Sequence, residues 1–168
     1  MQNGNQPVHV FEKDNEIGKR GEKVFERYLK SVNLEYRDVS NIREYQEQDV
    51  DFIVSFKNPQ VDLKFEVKND TRIATTGNIF FETMSNVDYS TNGCFNKTKS
   101  DVMVIVSESE RRLYMISSRS LKRFVDENKD SLRFISRVPG SNSCGYLVPV
   151  KRLGDNLKIK NCDSIFKC

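Results

Sequence analysis

Residues 60 to 70 read QVDLKFEVKND, and the order of their side chains decides the fold. Leu63, Phe65 and Val67 alternate with Lys64, Glu66 and Lys68. Successive side chains of a strand point to opposite faces, so the spacing predicts a strand with one apolar face and one face carrying lysine, glutamate, lysine. Just upstream, DVDFIVSF predicts a second strand, with Val50, Phe52, Val54 and Phe56 on one face and Asp49, Asp51 and Ile53 on the other. The KNPQ turn between them returns the chain as an adjacent antiparallel strand, which brings Asp51 towards Glu66. Glu66 and Lys68 then share a face, about 6 to 7 Å apart along the strand.

Two carboxylates aimed at one spot repel, and without a cation one of them is protonated or splays away. A divalent ion resolves the conflict, and a few hard oxygen ligands suit Mg²⁺ or Mn²⁺ rather than zinc. The Lys68 ammonium can then orient a water, help to deprotonate it, or stabilise charge developing on a phosphate. Each element also has a plainer reading. Glu-x-Lys is common on strands, Asp51 can be a turn residue, Asp49 on the same face can take its place, and the whole alternation can be a solvated sheet face.

Working outward, a helix is expected from about Asp14 or Asn15 to Lys30, with an apolar stripe of Ile17, Val24, Phe25, Tyr28 and Leu29. Glu22 stands in line with Phe25 and Leu29 at spacings of three and seven, whereas Glu26 lies about 100° round the helix and should be wetter. Glu22 either joins the site or pairs with Lys19 or Lys23 on the surface. Further strands are expected at 36–39, 79–83, 102–106 and 113–116. The unbroken run VMVIV (102–106) marks a central strand covered on both faces. A helix over Leu121 to Asn128, capped by Ser118 or Ser120, precedes two short strands at 134–138 and 146–150, which flank the loop PGSNSCG. The order predicts a flexible arm over residues 1–14 and one α/β domain over 15–168, a central mixed sheet flanked by helices.

Composition narrows the classes. Thirty-seven per cent hydrophobic and thirty per cent charged residues describe a globular chain, and no apolar run approaches the ~18 residues of a membrane helix, so a cytoplasmic protein is expected. Four cysteines without a C-x-x-C pair, and a single remote histidine, His9, do not make a zinc pattern; reduced structural thiols are expected. The net charge of +3 hides a segregation. Residues 1–110 carry 14 Lys and Arg against 19 Asp and Glu, whereas residues 111–160 carry 12 against 4. An acidic half able to hold a metal thus adjoins a basic half able to hold a polyanion.

The sequence GEKVFERYLK … VDFIV … KFEVKND resembles the PD-(D/E)xK, or restriction-endonuclease-like, nuclease superfamily. That core is an initial helix, a hairpin carrying the acid and the E-x-K, a crossover helix and a further strand. TGNIFFETMSN and GCFNKTKSDVMVIV are similar to a phage-type branch, which extends the resemblance over roughly residues 15 to 125. Val50 stands where the superfamily pattern has proline. The resemblance implies that Asp51, Glu66 and the Val67 carbonyl ligate Mg²⁺ or Mn²⁺ and that Lys68 is the catalytic lysine. It also implies that Glu22 assists the metal through water and that Glu82 is an accessory acid or orients the lysine. The implied activity is hydrolysis of phosphodiester bonds in DNA by a water that the metal activates, in a phage or mobile-element endonuclease. A Holliday-junction resolvase or recombination nuclease is the alternative, and a non-catalytic regulator on the same fold is another.

Lys97 and Lys99 form a basic approach to the central strand. Arg111, Arg112, Arg119, Lys122, Arg123, Lys151 and Arg152 are the candidate phosphate-binding surface, whose signature is a steep salt dependence. A domain of this size has limited contact area, so a homodimer presenting one site to each DNA strand is expected.

Overall fold

A computed structural model of the chain describes residues 8–139 and 141–166, with side chains from residue 15 onward. The first helix, α1 (Val8–Ser31), starts earlier than its apolar stripe. Residues 8–14 of the expected arm are therefore helical, and residues 1–7 lie outside the described residues. Short β1 (Glu35–Asp38) and the single turn α2 (Arg43–Gln46) lead into the hairpin of β2 (Phe52–Lys57) and β3 (Gln60–Asn69). The hairpin is antiparallel, with Phe52 opposite Phe65 and Lys57 opposite Gln60.

The chain then passes through α3 (Ile73–Thr76), β4 (Asn78–Asn86), β5 (Thr91–Asn92) and α4 (Cys94–Lys97) before β6 (Val102–Ser107) runs parallel to β3. The crossover helix implied by the resemblance is thus replaced by two four-residue turns around a strand that joins another sheet. A hairpin joins β6 to β7 (Arg112–Ser117), and α5 (Ser118–Asn128) follows. The α5 cap is Ser117, whose hydroxyl accepts from the Ser120 N–H, not Ser118 or Ser120. The strands β8 (Arg133–Ile135) and β9 (Cys144–Pro149) form the expected hairpin, and β10 (Leu157–Asn161) closes the chain on β7. The result is a mixed six-stranded sheet, β1-β2-β3-β6-β7-β10, and a four-stranded sheet, β5-β4-β9-β8.

The central position of β6 explains its uniform composition. Val104 and Val106 pack under α1 with Phe25, Phe52, Phe65 and Val67, while Met103 and Ile105 pack against the second sheet and α5 with Phe81, Phe95 and Leu121. Burying each such large side chain contributes roughly 1.5–3 kcal/mol. Alternation on the hairpin stops one residue short of expectation: Val50 packs with Val39 and Ile53 rather than with Phe52. The left-handed backbone of Asp49 (φ 47°) turns the chain there and resets the faces.

Candidate active site

The site forms where β2 ends and β3 continues. The Asp51 N–H donates to the Phe65 carbonyl at 2.8 Å and the Asp51 carbonyl accepts from the Val39 N–H at 2.8 Å, so the backbone is held between its two neighbours. With no strand residue left to pair beyond it, the Val67 N–H donates to Asp51 Oδ2 at 2.8 Å. This bond fixes the Asp51 carboxyl over β3. A strand residue directs its N–H and C=O to the same edge, so the Val67 carbonyl faces that side too.

Glu66 is only 3% exposed, and its Oε1 lies 2.6 Å from Lys68 Nζ. The Cys94 thiol donates to the same oxygen at 3.8 Å, and burial pushes that thiol up to about 12, so it stays protonated. Lys68 itself is half-buried, with 43% of its side chain open. Burial disfavours its ammonium, but the Glu66 carboxylate outweighs this and holds the lysine well above its usual value. Burial, and then the Glu66 charge, push Asp51 up to about 8 from 3.8; the Val67 N–H opposes the shift, Glu22 adds to it and Lys68 opposes it. Glu22 reaches the same place from α1, bonded to Lys19 at 3.0 Å with its side chain 18% exposed. Glu22 thus pairs with Lys19 and also lines the cleft.

Glu22, Asp49, Asp51, Glu66, Val67 and Lys68 line one open cleft of about 460 Å3. The two aspartates differ in their partners: Asp49 is ion-paired to Lys97 at 3.1 Å, whereas Asp51 has no cation within ion-pair distance among the described residues. Glu82 lies on the far side of Lys68, where it accepts from the Cys94 N–H at 3.3 Å and is raised chiefly by burial.

The donors fit a hard divalent cation. Asp51 Oδ1 and Glu66 Oε2 have no hydrogen-bond partner among the described residues, the Val67 carbonyl faces the same edge, and burial and the Glu66 charge raise Asp51, a strain that a cation between the two carboxyls would relieve. No group of three or more acidic, cysteine or histidine side chains is preassembled among the described residues, so such an ion would keep water or substrate oxygens in its shell.

The basic residues are not gathered into one surface. Lys97 reaches the cleft through its ion pair with Asp49, whereas Lys99 is exposed and its backbone N–H donates to the Gln48 carbonyl. Arg111 and Arg112 lie at the β6–β7 turn, paired with Asp163 and Glu110. The exposed Arg119, Lys122 and Arg123 are on α5, beyond the other end of β7 and so roughly 20 Å away. Lys151 is exposed, and Arg152 is engaged by Asn128, Ser131 and the Phe124 ring. Among the described residues Cys94, Cys144 and Cys162 are free thiols; Cys168 lies outside them. No described helix is long and apolar enough to cross a membrane.

Two positions escaped the sequence reading. Asn69 Nδ2 donates to the Ile17 carbonyl at 2.9 Å and to Glu108 Oε1 at 2.6 Å, tying the end of β3 to the middle of α1 and to the residue after β6. Gly21 permits that approach, since a Cβ there would stand 2.9 Å from Asn69 Cβ. A glycine inside a strongly periodic helix is a signal of close packing, and Gly21 carries it.

No family model matches the chain, and no curated protein matches it. Among solved structures the chain is similar to a nuclease from a fusselovirus, at 12% identity over 84% of each chain with a TM-score of 0.39. A likeness that loose supports no argument about activity.

Proposed function

We propose that this protein is a metal-dependent nuclease that hydrolyses phosphodiester bonds in DNA. The observation that supports it is the convergence of Glu22, Asp51, Glu66 and Lys68, from one helix and two strands, on a single open cleft. Asp51 Oδ1, Glu66 Oε2 and the Val67 carbonyl would hold Mg²⁺ or Mn²⁺. When bound, the ion supplies a water acidic enough to attack and neutralises charge on the phosphate.

The chain does the rest. Lys68, fixed by Glu66, presents its ammonium to a non-bridging phosphate oxygen and stabilises the charge that builds there. Glu22 orients the attacking water from the helix side, and Glu82 restrains Lys68 from the other. The water oxygen forms the new bond to phosphorus as its proton passes to solvent, the bond from phosphorus to O3′ breaks, and O3′ takes a proton from solvent and leaves as a hydroxyl, giving a 5′-phosphate.

The test is cleavage of linear, branched and single-stranded DNA across a titration of Mg²⁺ or Mn²⁺, with wild type, Glu66→Ala and Lys68→Ala. Metal-stimulated cleavage lost in both variants is expected. Absence of metal-stimulated cleavage by wild type, or unchanged cleavage by both variants, overturns the proposal.

A further inference from the structure

Across Lys68 from the acidic cleft lies a second opening of about 540 Å3, and the two share Lys68 and Asn69. Its far wall is one face of the four-stranded sheet. Phe80, Leu147 and Arg133 are direct cross-strand partners on β4, β9 and β8, so their side chains share that face. The adjacent row is Glu82, Gly145 and Ile135, in which the buried glycine admits the Phe81 carbonyl where a side chain would otherwise stand. The opposite face carries Ile79, Phe81 and Val148, which are buried against α5 and the central sheet. Phe80, Ile135 and Leu147 are half-buried, and Arg72 and Arg133 are exposed at the margin. Neither arginine makes an ion pair or side-chain hydrogen bond among the described residues, although Arg72 lies near Asp70.

An aromatic and aliphatic wall edged by guanidinium groups is the chemistry of a surface that binds unpaired nucleic acid, where base faces rest on apolar side chains and cations follow the phosphates. The volume lies within the range of sites that enclose a drug-sized ligand, which one nucleotide is and a stacked base pair is not. A base inside a duplex has both faces stacked, so only an unpaired base can offer one to a protein wall. Because Lys68 lines both openings, a phosphate at its ammonium would have this opening within reach of its neighbouring nucleotide.

We infer that the cleft bounded by Phe80, Leu147, Ile135, Arg72 and Arg133 takes one unpaired nucleotide of a DNA strand beside the scissile phosphate. DNA with an unpaired nucleotide at the cut is then preferred over continuous duplex. This rests on the nuclease reading for its link to cleavage, but not for binding.

The experiment compares a continuous duplex with the same duplex carrying one unpaired 5-iodouracil beside the cut. Cleavage in Mg²⁺ and photocrosslinking in EDTA are measured for wild type, Phe80→Ala and Arg133→Glu. Wild type is expected to prefer the interrupted duplex by about tenfold, within what stacking one base on an aromatic ring supports. Phe80→Ala should bring the two substrates near parity, and the crosslink should map to a residue lining that cleft, on β4, β8 or β9 or at Arg72. Equal wild-type rates, an undiminished preference in both variants, or a crosslink elsewhere overturns the inference while leaving the nuclease reading intact. No cleavage of any DNA, with a crosslink in that cleft that both variants weaken, overturns the nuclease reading and sustains the nucleotide site.

Discussion

The two faces of β3 are one residue apart in sequence and opposite in what they hold. On one, Phe65 and Val67 meet Phe25 of α1, whose ring centroid is 5.4 Å from those of Phe52 and Phe65. On the other, Glu66 is as deeply buried as Phe65 but has a lysine at 2.6 Å and Asp51 as a neighbouring carboxyl. The apolar face gains free energy from every contact. The polar face crowds like charges in a poorly hydrated place and is tolerable only because Lys68 and the Val67 N–H oppose them. The strand thus stores stability on one side and carries the proposed catalytic groups on the other.

The sharpest way to break that division is to exchange the effects. Phe25→Ala removes a fully buried ring from the α1 face and should cost about 3–5 kcal/mol in denaturant unfolding. The folded fraction should retain its cleavage rate per active molecule. A rate per folded molecule that falls with stability would show that the two faces are not separable.

Asp51→Asn is the reverse case, with an expected loss of about 10²–10³ in kcat and little loss of stability. Its effect on metal-free protein depends on pH with a definite sign. The folded carboxyl titrates about 8 and the unfolded one at 3.8, so the folded state holds an extra proton between those values. Wild-type stability in EDTA should therefore fall as pH rises from about 4 to about 8, by at most ~1.4 kcal/mol per unit, and stay low above. Thermal melts should show this slope shrink in Asp51→Asn, the remainder belonging to the half-buried Asp70 and Glu82 carboxyls, and shrink in wild type with added Mn²⁺. A flat wild-type profile would mean that Asp51 is neither desolvated nor opposed by the Glu66 charge in the folded protein.

Much of this was legible because alternation reports burial on each face separately. It located β2, β3, β6 and β7, and it singled out Glu66, Lys68 and Asp51, whose neighbours are set by a short hairpin. It could not reveal the second sheet, because β4 and β9 pair across some sixty residues and nothing local records that register. It missed β10, which buries only Leu157 and owes its place to β7. The four-residue helices are too short to show a helical period. Charge counts suggested one basic surface where the fold distributes three, since composition carries no direction.

Gly21→Ala probes the junction of the two faces. The methyl must displace Asn69 or lift α1, costing about 1–3 kcal/mol, against roughly 1 kcal/mol regained in helix propensity. A net loss of about 1 kcal/mol is expected, together with slower cleavage, because Glu22 follows Gly21 directly and moves with it. Slower cleavage at unchanged affinity for DNA would mark positioning. Unchanged cleavage would mean that Glu22 is dispensable.

The smallest expected effect is at the start of the polar stripe. Lys64 is half-buried and donates to Gln48 Oε1 at 3.3 Å, so it is less free than a surface lysine. It has the same parity as Glu66 and Lys68, but it sits opposite Ile53, where β2 is still paired, and no carboxylate lies within ion-pair distance among the described residues. Such a long, marginal bond is worth little, and Lys64→Ala should change stability by no more than about 0.5 kcal/mol and leave cleavage unaltered. If it lowered cleavage as Lys68→Ala does, facing alone would confer function. If not, function on this face begins where β2 stops and the freed Val67 N–H takes hold of Asp51.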